Sequence, residues 1–259
     1  MPLSKGNIVA SIENRIEGAA MPEEMFSESI GGASFDDAIA AALANRSFVY
    51  TYLWRAFAAD PDEALLTAVA SDQALEECAI LAGEESRAAQ EQRALASTAS
   101  ASDALEVLKS DYTRLFIGPG KLPAPPWESV YVTGEDLLFQ PSTLEVRDAY
   151  RKAGYQATGY PHEADDHLAT ELGFMEALAK DSQAAYEAGD SEKLQLLLSQ
   201  QTMFLAQHLN AWLPKFVERL LITEAPKFGE FYPRFAALAR ELCAADSAAL
   251  VEIANALHE

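Results

Sequence analysis

The chain is poor in the residues that do covalent and metal chemistry. It has two cysteines, Cys78 and Cys243, far apart and without a Cys-x-x-Cys. That excludes a disulfide framework and a closely spaced zinc set, and it fits buried, reduced thiols in a reducing compartment. Histidines occur at 162, 167, 208 and 258 only. No His-Glu-x-x-His is present and no pair of Glu-x-x-His helices, so neither a zincin nor a di-iron bundle is expected. There is no Gly-x-Ser-x-Gly elbow, and Gly118-Pro119-Gly120 lacks the Lys-Ser/Thr that would make it a phosphate loop. Neither a resident metal nor a cofactor is expected.

Basic residues are also scarce, 19 against 40 acidic ones, for a formal net charge of -21. Such a surface repels nucleic acid and anionic lipid and attracts cationic partners, Lys/Arg-rich peptides among them. Solubility alone is the plainer use of the same charge. Long apolar runs are missing too. The most apolar stretch, 36–59, is interrupted by Arg46 and Arg55, and residues 1–34 hold five glutamates and no apolar leader core. No membrane insertion is expected, and the protein should stay in the cytoplasm.

What is present is helical periodicity. Residues 1–33 read as a loose acidic arm, hinged at Gly31-Gly32, before an all-α globular domain of roughly ten helices over 34–259. Ser34 can cap a helix to about Ala58, and Pro61 suits the first turn of the next, with Leu65, Leu66 and Val69. Two short helices are expected between Asp72 and Ala96, then a loop at Ser97–Ser100. A helix from Asp103, with Glu106 as capping partner, carries Leu105, Leu108, Tyr112, Leu115 and Phe116. Ser142 and Glu145 form a capping-box pattern with Gly154 as the stop. Asp165 or Asp166 starts the long helix of Leu168, Leu172 and Met175. Pro214 can restart a helix after a break, and Phe228 and Asp246 mark later segments.

Four of the twelve prolines lie within 119–126, which rules out helix or central strand there. Residues 117–141 therefore read as one long ordered loop, with only Ser129–Thr133 strand-like. Loops of that length are uncommon and often functional. This one concentrates Leu122, Pro126, Trp127, Val130 and Tyr131. Packing across the core is the plainer reading of Trp127.

Nine acidic residues and one basic residue fall between Pro161 and Glu192, beginning with Glu163-Ala164-Asp165-Asp166-His167. Two readings compete for this cluster. Acidic side chains suit a helix N-terminus. A carboxylate beside His could instead orient an imidazole as a base, giving a small metal-assisted hydrolase using Asp166 and His167. A protonated His at the positive end of a helix is a misfit for the first reading. The absence of a nucleophile counts against the second. Gln207-His208-Leu209-x-x-Trp212-x-Pro214 reads as core.

Several ordered stretches resemble the TorD/DmsD family of redox-enzyme maturation chaperones, most closely its DmsD-like branch. They are Tyr112-Thr-Arg-Leu-Phe-Ile-Gly-Pro119, Leu122-Pro-Ala-Pro-Pro-Trp-Glu-Ser-Val-Tyr131, Ser142-Thr-Leu-Glu-Val-Arg147, Glu163-x-x-Asp166-His167 and His208-Leu-x-x-Trp212-x-Pro214. The resemblance covers roughly residues 35–240, and the acidic arm is outside it. It implies a helical chaperone, not an enzyme. Such a chaperone binds the twin-arginine signal peptide of a molybdenum-containing, DMSO-reductase-like catalytic subunit. It holds that precursor for cofactor insertion before export.

By the same resemblance the leader-binding positions are Tyr112, Leu115, Phe116, Pro126, Trp127, Ser129 and Tyr131, with Glu163, Asp166 and His167. The chain would be a monomer or homodimer. It departs from the family pattern in lacking a proline after Glu163. Gly120, Tyr112 and Tyr131 stand where Trp is common. The chemistry agrees: carboxylates accept bidentate Arg bonds, and Trp, Tyr, Leu and Pro bury an apolar run. The reading requires Trp127 and Tyr131 to lie beside Asp166 and His167.

Overall fold

The computed structural model describes residues 35–135, 137–160, 163–222 and 230–257. The acidic arm with its hinge, the Ser34 cap, Phe228, His162 and His258 lie outside them. Among the described residues there are α-helices and two π-helical segments, with no strand beyond one isolated bridge. No described helix is long and apolar enough to cross a membrane.

The first half runs α1 (Phe35–Ala58), α2 (Glu63–Ala70), α3 (Asp72–Ala82), α4 (Arg87–Ala99) and α5 (Ala104–Tyr112). A π-helical segment, Thr113–Ile117, extends α5. Then come α6 (Glu128–Thr133), α7 (Pro141–Lys152), α8 (Leu168–Glu187) and α9 (Ser191–Phe204). A second π-helical segment, Leu205–Leu209, joins α9 to α10 (Asn210–Ile222), and α11 (Phe231–Ala256) closes the chain.

Helix α1 packs along α8, α9 lies against α8, and α11 crosses α1, α4 and α10 to seal the core. Arg46, the charge that breaks the most apolar stretch, sits at the centre. It is fully buried on α1. Its guanidinium donates to Asp246 of α11 at 2.5 and 3.0 Å and to Gln201 of α9 at 2.5 Å. Tyr50 donates to Asp246 at 2.6 Å, and Gln201 donates on to Ser182 of α8 at 2.8 Å. A buried ion pair survives only when its remaining hydrogen-bonding capacity is met, and neighbours from three helices do most of that here.

Local signals place most helix starts, with some shifts. Asp62, not Pro61, caps α2, accepting from the Leu65 N–H at 2.8 Å, so the proline sits one residue before the cap. Helix α4 runs to Ala99 through the expected loop, because Thr98 turns its hydroxyl onto the Ala94 carbonyl at 3.1 Å. Asp103 makes no side-chain cap, and α7 begins at Pro141, so neither capping box forms. Pro214 lies inside α10; the irregularity comes earlier, as the π-helical segment before Asn210. Asp246 interrupts nothing within α11.

Candidate functional site

The proline-rich loop begins at Gly118, whose φ of 102° only glycine adopts freely and whose N–H returns to the Thr113 carbonyl at 2.8 Å. Its four prolines lack N–H groups, so at those positions the backbone can bond only through carbonyls. Arg219 of α10 donates to Pro123 O at 2.9 Å. The Leu168 N–H, at the start of α8, donates to Pro126 O at 2.9 Å. Glu128 N–H answers by donating to Asp166 O at 2.9 Å. Trp127 and His167 thereby form an antiparallel bridge, with their rings edge-on and centroids 5.1 Å apart. The proline segment and the acidic-His cluster, 40 positions apart in Trp127 and His167, are stitched together backbone to backbone.

Residues 128–133, expected as loop with a strand-like tail, form helix α6 instead. Six residues cannot hold a helix alone. Asp166 supplies what is missing. Its Oδ2 accepts the Ser129 N–H at 2.8 Å and its carbonyl accepts that of Glu128, so a residue from outside the helix caps it. At the other end Lys215 of α10 donates to Tyr131 O at 3.1 Å. Tyr131 stacks on Trp212 with centroids 5.4 Å apart and meets Phe216 edge-on.

Neither Asp165 nor Asp166 begins α8; His167 does, its Nδ1 accepting the Ala169 N–H at 3.1 Å. Burial pushes the His167 pKa down to about 4, against the pull of Asp166. The ring is neutral near pH 7, with its proton on Nε2, because Nδ1 is the acceptor. This removes the misfit of a cation at a helix N-terminus. Asp165 is buried and paired with Arg147 of α7 at 2.6 and 2.8 Å, and the Tyr160 ring lies against that guanidinium.

Beneath the bridge lies a polar cluster in which Glu128, His208 and Trp212 belong to the motif stretches and Glu171 does not. Glu128 and Glu171 are both buried. Glu128 meets His208 Nδ1 at 3.0 Å. Glu171 accepts the Trp212 indole N–H at 3.0 Å. Burial, then the neighbouring Glu128, pushes the Glu171 carboxyl well above the usual carboxylate range, so it carries a proton it can share with Glu128. A sequence signal for Glu171 exists: it falls on the apolar stripe of α8, between Leu168 and Met175, where a charge has no business without partners.

The expected site residues separate into groups. Trp127 and His167 are half-buried and Glu163 is exposed. Pro126, Ser129, Tyr131 and Asp166 are buried around the bridge. Tyr112, Leu115 and Phe116 are buried elsewhere. Tyr112 donates to Phe57 O of α1 at 3.2 Å, and Phe116 packs on Tyr232 of α11. The acidic stretch is no uniformly solvated face. Asp165, Asp166, Glu171 and Glu176 are all buried, the last paired with Lys180. Among the described residues no group of three His, Cys, Asp or Glu is placed to hold a metal. Cys78 and Cys243 are buried, the Cys78 thiol pushed up to about 12 by desolvation, so neither is poised as a nucleophile.

Residues 82–218 match the family described as nitrate reductase delta subunit. Among curated relatives, the chaperone protein TorD of Vibrio cholerae is 33% identical over 156 residues, 60% of this chain and 68% of that protein. The Tat proofreading chaperone DmsD of Salmonella typhi is 36% identical over 113 residues, 44% of this chain and 48% of that protein. The probable Tat proofreading chaperone DmsD of Haemophilus influenzae is 34% identical over 121 residues, 47% of this chain and 52% of that protein. The match thus spans about two thirds of the TorD relative and about half of the DmsD relatives.

Proposed function

This chain belongs to the nitrate reductase delta subunit family, that of the TorD and DmsD chaperones, which are not enzymes, and on that premise we propose that it binds the twin-arginine signal peptide of a molybdenum-containing oxidoreductase subunit and holds the precursor in the cytoplasm until its cofactor is inserted. The bridge between Trp127 and His167 carries this reading. It brings the apolar proline loop against the acidic-His segment and leaves the indole and the imidazole partly open to solvent, with Glu163 exposed nearby in sequence.

An exposed carboxylate can take a guanidinium, and half-buried rings can take an apolar side chain. The buried members of the motif set serve from behind. Asp166 holds α6, Ser129 receives that cap, and Tyr131 anchors the helix on Trp212. The formal charge of -21 favours encounter with a basic leader over long range. Asp166 and His167 are each occupied in capping a helix, which leaves no base-and-nucleophile pair for the hydrolase alternative.

The test is titration of the purified chain with a synthetic leader peptide at low and physiological salt. Binding should weaken when both arginines become alanine and when salt rises. A leader that binds equally well after both changes would remove the electrostatic half of the reading. Trp127→Ala should weaken binding without unfolding the chain, since the indole is only half-buried.

A further inference from the structure

A cleft of about 520 Å³ opens between α7, α8 and α9. One side carries Glu145, Asp148 and Lys152 of α7; Phe174 and Phe204 form apolar wall, and His208 lies at its base. Glu145 and Asp148 are exposed and neither is paired with a cation among the described residues. His208 is 4% exposed, and its Nδ1 is engaged by Glu128.

A second cleft of about 340 Å³ follows, lined by Leu198, Leu250, Val251 and Ala254. Met203, 54% exposed, borders both. Val251 is 52% exposed beside it. Met203 and Val251 are thus exposed neighbours on this trough, while Leu198 and Leu250 are buried. The surface therefore changes character across α9, from the carboxylates of α7 on one side to Val251 of α11 on the other, with Met203 between them.

We propose that this groove seats the leader peptide, its paired guanidinium groups against Glu145 and Asp148 and its apolar run across Met203 toward Val251. The inference rests on leader binding as proposed above and places the paired arginines at Glu145 and Asp148 rather than at Glu163, with the Trp127–His167 rings left to another part of the leader. Glu128 links the two regions. It follows Trp127 in the chain and bonds His208 at the base of the cleft. Met suits the apolar part, because its flexible side chain adapts to varied partners.

Lys152 makes the charge argument testable by sign. It lines the same cleft and opposes any cation there. The wild-type chain and its Glu145→Gln/Asp148→Asn, Lys152→Gln and Met203→Glu variants are titrated with a twin-arginine leader and with its dialanine counterpart. All four altered side chains are exposed, so folding should be retained and is checked by circular dichroism.

The double variant should bind the twin-arginine leader roughly three- to tenfold more weakly and lose its preference over the dialanine peptide. Lys152→Gln should bind more tightly, and Met203→Glu should weaken both peptides. A double variant with the wild-type preference, or a Lys152→Gln variant that binds more weakly, overturns the proposal and leaves leader binding itself standing. A wild-type chain that ignores both peptides overturns leader binding and this placement together.

Discussion

Trp127 and His167 face one another across an isolated antiparallel bridge, and the residue beside each completes the joint: Glu128 N–H donates to Asp166 O at 2.9 Å. The indole and imidazole centroids are 5.1 Å apart and the planes lie 75° apart, the edge-on arrangement aromatic rings prefer. Two segments without regular structure thus fix each other. Each supplies the backbone groups that the other leaves unpaired.

Asp166 is the keystone of that joint, and its removal should show it. Asp166→Ala leaves the Ser129 N–H, now bonded at 2.8 Å, without its acceptor at the start of a six-residue helix. The expected loss is about 1–2 kcal/mol in urea unfolding, the usual cost of a lost cap. Asp166→Asn keeps an acceptor oxygen and should lose less. Equal losses for the two variants would mean that the carboxylate charge, not the cap, matters.

His167 should give the protein an acid-side instability. Its pKa is pushed down to about 4 in the folded chain, against about 6.5 when unfolded. Between those values the unfolded chain holds a proton that the folded chain does not. This group's contribution is therefore complete above pH ~6.5 and is lost as pH falls toward ~4. Asn at position 167 can accept the Ala169 N–H without titrating, so His167→Asn should flatten the stability profile over that window. Urea midpoints at pH 4.5 and 7 for both proteins are the measurement.

Much of this was legible from the residues alone, and the failures have physical causes. The helices with clear caps and stripes, such as the one carrying Leu168, Leu172 and Met175, were placed to within a few residues. The 128–133 helix was not, because its cap is Asp166, 37 positions from Ser129, and local pattern cannot report a cap from that far. Arg46 read as a charge that spoils a membrane span. Its partner Asp246 is 200 positions away, so its burial was invisible. The resemblance carried the proline loop and the acidic-His motif to neighbouring positions. It gave no warning that Tyr112 bonds the Phe57 carbonyl of α1 and that Phe116 packs on Tyr232 of α11.

Glu171 should act in the opposite sense to His167. Burial and Glu128 hold its carboxyl well above the usual range, so the folded chain keeps a proton that the unfolded chain releases above pH ~4.5. Its contribution is complete below that value and is lost as pH rises through the raised folded pKa. Glu171→Gln mimics the protonated acid and can still accept the Trp212 indole N–H. It should cost little near neutral pH and make the thermal midpoint fall less steeply with pH on the alkaline side. A variant that follows the wild-type slope from pH 6 to 9 would mean that Glu171 is already ionised when folded.

The Arg46–Asp246 pair tests whether the core network stabilises the fold or only specifies it. Arg46→Met leaves Asp246 fully buried with Tyr50 as its remaining donor, an uncompensated charge worth about 3–5 kcal/mol of lost stability. Arg46→Met/Asp246→Leu removes both charges. If the ion pair mainly specifies which faces of α1, α9 and α11 meet, the double variant should be more stable than the single one and approach the wild type. Gln201 and Tyr50 would still have lost their partners, so a residue of about 1–3 kcal/mol per orphaned group bounds how close it can come. Denaturant unfolding of the three proteins decides it, and the slope of the transition adds a second readout. A double variant with wild-type stability but a shallower slope would have kept its burial on average and lost its single packing.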